Sequence, residues 1–179
     1  MGLFLFDFFY FFVYNGTTMI LLGIDPGAKG AIAIFKDNKT EVFSFNGNPL
    51  ILDQILFKVK EENNFIAKAY IEKMHGMPMQ GTSSTFKLGY NYGIAISLLE
   101  HYKIGYMEIS TNTWQKAFGL IIKHDDKDKG KKLKTSDKKK KSIEMANKLY
   151  PELNIGKDYG KADALLILEY LKRIESFAK

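Results

Sequence analysis

An apolar run from Met19 to Ile24 ends abruptly on Asp25, Pro26 and Gly27. A short apolar run bounded by turn formers reads as a buried strand. A second run follows at once, Gly30 to Phe35, and Asp37-Asn38 marks the turn into a third, Glu41 to Phe45. Three short strands joined by tight turns make an antiparallel meander. The pattern then changes to alternation. Pro49 to Glu62 places Ile51, Ile55, Leu56 and Val59 at helical spacing, and Ala67 to Ile71 is a short apolar strand running into Glu72. Ser83 to His101 predicts the longest helix, capped by Ser83 or Ser84, with Phe86, Tyr90, Ile94, Ile96, Leu98 and Leu99 along its buried side. Lys103 to Ile109 is a fifth strand, and Asn112 to Phe118 a short helix around Trp114. Asp137 to Leu149 is a helix stopped by Pro151, and Tyr159 to Phe177 a final helix whose run Ala164 to Leu168 packs on the sheet. The expected class is α/β, with a five-stranded mixed sheet, three antiparallel strands then two parallel ones, flanked by helices.

At 179 residues the chain has room for one domain with a sizeable core. Residues 19–179 are expected to form it. Residues 1–18 are apolar and aromatic, but the run ends near Tyr14 and contains Asp7. That is short of the roughly 20 residues a membrane span needs, and the segment lacks the basic start and small-residue cleavage site of a secretory signal. No membrane association is expected. Met19, just before the strand pattern, is the expected functional start. An added strand or interface segment is the alternative for residues 1–18.

The net charge of +6 favours an anionic partner, nucleic acid being the commonest. Ten lysines crowd into residues 123–141 against four aspartates. Such a stretch is either a solvated charged loop or a phosphate-contacting one, and the two can coincide. Cysteine is absent, which excludes disulfides, thiolate metal sites and a cysteine nucleophile. Any metal must be held by oxygen or imidazole, and oxygen ligands favour Mg²⁺ or Mn²⁺.

Three acidic residues interrupt apolar runs. Asp25 ends the first strand, Glu72 ends the fourth, and Asp163 sits where the last helix turns apolar. A carboxylate at the edge of a buried segment costs free energy unless it is paired or bound to metal. Each has a structural explanation when taken alone: a turn former at Asp25, an ion pair with Lys161 at Asp163. Together they carry more. If the first and fourth strands are parallel neighbours, Asp25 and Glu72 leave the same sheet edge side by side. A last helix crossing that edge brings Asp163 to them. Such a cluster can hold two divalent ions about 3.5–4 Å apart, one activating water and the other stabilising the leaving 3′ oxygen of a phosphodiester.

In order along the chain, Gly23-Ile24-Asp25-Pro26-Gly27 with Gly30-Ala31-Ile32-Ala33, Ile71-Glu72-Lys73 with Met77-Pro78-Met79-Gln80-Gly81, and Leu88-Gly89-Tyr90-Asn91-Tyr92-Gly93 come first. Thr113-Trp114-Gln115-Lys116, Lys139-Lys140-Lys141-Ser142 and Gly160-Lys161-Ala162-Asp163-Ala164-Leu165-Leu166 complete the set. This succession resembles the RuvC-type Holliday junction resolvases, in their phage-type form, across about residues 20 to 175. The resemblance implies an RNase H-like fold, Mg²⁺ or Mn²⁺ dependence with two ions per site, and a homodimer that cuts opposed strands of a four-way DNA junction. Asp25, Glu72 and Asp163 match the family's first, second and final catalytic, metal-binding carboxylates. The family has a further ligand shortly before the last aspartate. One helical turn upstream stands Gly160, which has no ligating side chain, so Asp158 is the candidate for that role. Its alternative is the N-cap of the last helix.

The family also places a probing aromatic side chain soon after the second carboxylate. Here His75 and Met77 occupy that region. An apolar side chain inserted between bases is physically reasonable, and the missing aromatic argues against strict sequence selectivity. Lys87, Lys116, Lys131, Lys132, Lys139, Lys140 and Lys141 are candidate phosphate contacts, which position DNA without reading its sequence. A symmetric junction matches a two-fold pair of sites, with the Ser83–His101 helix as a candidate interface and a core role as its alternative. Three rivals stand beside this reading: an actin-like phosphotransferase, a branch-binding protein that does not cut, and a nuclease for RNA–DNA hybrids. The abundance of Lys, Asn, Ile and Phe points to an AT-rich genome such as that of a phage, acting in the bacterial cytoplasm.

Overall fold

The computed structural model describes residues 18–61, 65–76, 81–121 and 135–177. Strand β1 (Thr18–Asp25) pairs antiparallel with β2 (Ala31–Lys36), and β2 with β3 (Lys39–Ser44). Asp37 and Asn38 turn this second hairpin with φ of 48° and 60°. Asp and Asn tolerate that left-handed backbone better than other side chains, as a tight hairpin requires. The chain then crosses over through helix α1 (Pro49–Glu61) to β4 (Phe65–Glu72), which lies parallel to β1. Helix α2 (Thr82–His101) leads to β5 (Gly105–Ile109), parallel to β4. The sheet order is β3-β2-β1-β4-β5, the expected mixed sheet. Helices α3 (Thr111–Ala117), α4 (Thr135–Leu149) and α5 (Tyr159–Phe177) follow, with a 3-10 turn at Pro151–Leu153. None of the helices among the described residues is long and apolar enough to cross a membrane.

Alternation along the central strands divides the core into two layers. Ile20, Leu22 and Ile24 of β1 pack with Ile71 of β4 against Leu52 and Leu56 of α1 and Leu99 of α2. Leu21 of β1 and Tyr70 of β4 face the other way, towards Leu165, Leu168 and Leu171 of α5. By the same alternation, Asp25 and Glu72 belong to the face that α5 covers. The parallel register ends on Ile24 opposite Ile71, so the next residue of each strand is a carboxylate.

Helix α5 lies directly on the backbone of β1. A Cβ added at Gly23 would stand 2.4 Å from both the Ala164 carbonyl oxygen and the Leu168 nitrogen. Only glycine permits that approach, and it brings the first turns of α5 over the end of β1.

The apolar positions of α2 do not form one continuous buried side. The helix packs through its second half, where Ala95 and Leu99 are buried, while Phe86 and Tyr90 are 73% and 54% exposed. Neither Ser83 nor Ser84 caps it; Gly81 stands at the N-cap without a side-chain hydrogen bond. The strand expected from Met19 begins one residue earlier, at Thr18. The remaining part of the N-terminal extension lies outside the described residues, as does most of the lysine-rich segment.

Candidate active site

Asp25 and Glu72 end adjacent parallel strands and are only 5% and 7% exposed. Pro26 and Gly27 turn the chain sharply after Asp25, and the Gly27 N–H donates to its Oδ1 at 2.9 Å. Glu72 is fixed from the neighbouring strand connection: the Thr111 hydroxyl, at the start of α3, donates to its Oε1. The Trp114 ring, one turn further along α3, is completely buried. Its indole N–H acts on Glu72 to lower its pKa, but makes no hydrogen bond of acceptable geometry. Asp163 lies between the fully buried Ala162 and Ala164 of α5. The residue keeps some solvent exposure, yet its Oδ1 is enclosed and has no hydrogen-bond partner.

The three carboxylates sense one another. Burial pushes Asp25 well above the ordinary aspartate range, and the charges of Glu72 and Asp163 push it further. The Gly27 amide and the Lys139 ammonium oppose that rise. Asp163 is pushed up to about 7, by burial first and then by Glu72, against the Ser142 hydroxyl and Lys139. Burial raises Glu72 too, against Thr111, Trp114 and His75. Groups coupled in this way titrate as a set. Positive charge brought to the cluster would favour the charged form of all three carboxylates.

A cleft of about 340 Å³ opens beside Asp163. Its walls include His75 after β4, Thr111 and Gln115 of α3, and Lys139 and Ser142 of α4. One side of the site is therefore acidic and the other cationic.

The remaining sequence candidates separate by position. Asp158 has both oxygens engaged: Oδ1 accepts from the Lys161 N–H and Oδ2 from the Ser44 hydroxyl at 3.0 Å. This is N-cap geometry at the start of α5, and Asp158 is not among the charges that move the three coupled carboxylates. No side chain could take the place of Gly160, since a Cβ there would stand 1.8 Å from the Lys29 carbonyl oxygen. His75 and Lys139 line the cleft. Lys140 pairs with Glu144 at 3.8 Å along the outer face of α4, and Lys141 is half-buried. Lys87 and Lys116 are exposed on α2 and α3 and do not line the cleft. Met77, Lys131 and Lys132 lie outside the described residues. Sequence reasoning missed Thr111 and gave Ser142 no role of its own; Lys138, within the lysine stretch the sequence singles out, also lines the cleft. A hydroxyl beside an acid leaves no mark in a sequence when the two lie 39 positions apart, as Thr111 and Glu72 do.

Among the described residues, no group of three or more acidic or histidine side chains is arranged to hold a metal ion as it stands. The donor chemistry nonetheless fits a hard divalent cation: three carboxylates short of positive charge, and an enclosed Asp163 oxygen without a partner.

No family model matches the chain, and no curated protein does. Solved structures do match. RuvC of T. thermophilus in complex with a Holliday junction substrate aligns with a TM-score of 0.53 at 13% identity, over 87% of this chain and 96% of that one. A second structure of Thermus thermophilus RuvC gives 0.52 at 14% identity, over 88% and 97%. At these identities the likeness shows the fold, which is RNase H-like. The yeast mitochondrial Holliday junction resolvase Ydc2 aligns at 0.42 and 12% identity over 88% of this chain and 82% of that one, too loosely to add to the argument.

Proposed function

We propose that the protein is a divalent-metal-dependent endonuclease that cuts branched DNA, four-way junctions first among them. The observation that carries this reading is the set of three mutually repelling carboxylates, two buried at the ends of the central strands and one on α5, beside a cleft lined with lysine. A site built only to bind DNA gains nothing from clustered carboxylates, which repel phosphate in the absence of a cation. The shared fold with RuvC, one of whose structures holds a Holliday junction substrate, supports the choice of branched DNA.

Asp25, Glu72 and Asp163 would hold the metal, Mg²⁺ or Mn²⁺. When bound, two such ions supply an activated water and charge stabilisation at the scissile phosphate. The chain supplies the rest. The Gly27 amide and the Thr111 hydroxyl fix one oxygen each of Asp25 and Glu72, leaving the other free to ligate. The Ser142 hydroxyl favours the charged form of Asp163. Lys139 places positive charge where the phosphodiester must approach an acidic cluster. Hydrolysis adds the water oxygen to phosphorus and releases the 3′ oxygen, so the products are a 5′-phosphate and a 3′-hydroxyl. Two opposed cuts in a two-fold junction call for a homodimer.

The test is cleavage of a labelled four-way junction in Mg²⁺, Mn²⁺ or EDTA, beside linear duplex and an RNA–DNA hybrid, with wild type and Asp25→Asn. Paired, metal-dependent nicks near the branch that vanish in Asp25→Asn are expected. Binding without cutting in either metal would make the protein a branch binder, and cutting of the hybrid alone would make it a ribonuclease.

A further inference from the structure

Tyr159 opens α5 immediately after Asp158. Its ring carries two ammonium groups from different parts of the chain. The Lys139 Nζ of α4 stands 3.7 Å from the ring centroid, and the Lys29 Nζ, from the turn between β1 and β2, stands 5.4 Å away. Among the described residues neither lysine forms an ion pair with a carboxylate. Nor does the Tyr159 hydroxyl make a hydrogen bond among them, so the contribution of this residue is its ring face.

Two cations gathered on one ring repel each other. Cation–π attraction holds long side chains in place but does not neutralise them. Such a pair suits an anion. The backbone keeps Lys29 there: its carbonyl oxygen abuts Gly160 so closely that no side chain fits between, which ties the β1–β2 turn to the start of α5. Lys139 is directed to the same place from α4, and its charge reaches Asp25 and Asp163. The next lysine, Lys140, points away and pairs with Glu144. The site thus selects one lysine from the run 138–141 and joins it to a second, distant in sequence.

We propose that Lys29, Lys139 and the Tyr159 ring form a phosphate-binding subsite that takes a phosphodiester of the DNA backbone neighbouring the one that is cut. The proposal rests on the nuclease reading above and deepens it. The two ammonium groups grip the phosphate, and the ring holds both in place. The α5 N-terminus adds little, because Asp158 already occupies it.

The experiment measures binding of a labelled four-way junction by fluorescence anisotropy in EDTA, from 50 to 200 mM salt, with junction cleavage in Mg²⁺ or Mn²⁺ assayed in parallel. Lys29→Ala, Lys139→Ala, Lys140→Ala, Tyr159→Phe and Tyr159→Leu are compared with wild type. Each lost phosphate contact lowers the slope of log affinity against log salt by about 0.9, or roughly threefold in affinity across this range. Lys29→Ala and Lys139→Ala should each show that loss, and Lys140→Ala should show little. Tyr159→Phe keeps the ring and should match wild type, whereas Tyr159→Leu should weaken binding with its melting temperature unchanged. If wild type cuts junctions but Lys29→Ala and Lys139→Ala bind with the slope of wild type or of Lys140→Ala, the subsite is refuted and the nuclease reading stands. If Tyr159→Phe binds as weakly as Tyr159→Leu, the ring-platform assignment is refuted. If wild type neither binds nor cuts branched DNA, the nuclease reading itself fails and takes the subsite with it.

Discussion

The change Asp163→Asn should stabilise the metal-free protein at neutral and alkaline pH. Asp163 titrates near 7 in the folded chain because it is buried and faces Glu72, against an ordinary value of 3.8. A carboxyl raised in this way favours folding most below its unfolded value, and that contribution is lost as pH rises from about 4 through 7. Roughly three units correspond to about 4 kcal/mol at full ionisation. The charge is shared with Asp25 and Glu72, and part of the repulsion would relax into them, so about 2–4 kcal/mol is the expected range. For a domain of this size that is roughly 5–15 °C in melting temperature. Thermal unfolding in EDTA, followed by fluorescence or calorimetry at pH 4.5 and pH 8, gives the comparison. Asparagine is close in shape to the protonated acid, so the two proteins should melt within a few degrees of each other at pH 4.5, where only about 1 kcal/mol of the difference is present. At pH 8 the variant should be the more stable. Adding Mg²⁺ or Mn²⁺ should then raise wild type towards the variant and move the variant less. Equal melting temperatures of wild type and variant at both pH values would refute the claim that Asp163 is held in a charge-starved site.

Three further outcomes follow from the same geometry. Asp25→Asn should lower junction cleavage by at least about a thousandfold while leaving binding in EDTA intact, as gel cleavage and anisotropy would show, since it removes a ligand and not a phosphate contact. Thr111→Val deletes the hydroxyl that holds Glu72 down, so the acid limb of the cleavage rate–pH profile should move upward, read at saturating Mg²⁺. Gly160→Ala places a methyl group 1.8 Å from the Lys29 carbonyl and should cost about 3 kcal/mol or more, seen as a large fall in melting temperature at every pH.

Much of the fold could be read along the chain because its signals are local. Apolar runs ended by Pro26-Gly27 and Asp37-Asn38 mark the first hairpins, and the last helix was legible from Tyr159 to Phe177 with its buried run Ala164 to Leu168. The longest helix was misjudged in its first half. Phe86 and Tyr90 have the spacing of a buried stripe, but whether a stripe is covered depends on what lies opposite, and those two turns meet neither the sheet nor α1 closely enough to bury them. Burial is a property of pairs of elements, and a single helix pattern supplies one member of the pair.

The site divides along the same line. Asp25, Glu72 and Asp163 could be singled out because each breaks a hydrophobic pattern, and the parallel register of β1 and β4 then sets the first two side by side. What tunes them could not be found this way. Thr111 and Ser142 are ordinary residues in ordinary helices, and they matter through the carboxylates they face across the fold; Lys139 stands out only as one of a run of lysines, without sign of the acids its charge reaches. Gly160 shows the opposite case. Its lack of a side chain looked like a missing ligand one turn before Asp163. The structure gives it a mechanical reason: the Lys29 carbonyl, in the turn after Asp25, presses against the first turn of α5, the helix that carries Asp163. A side chain at position 160 would push apart the two elements whose contact builds the cluster. A fourth donor, if the site uses one, therefore has to come from another position, a water or the substrate phosphate itself.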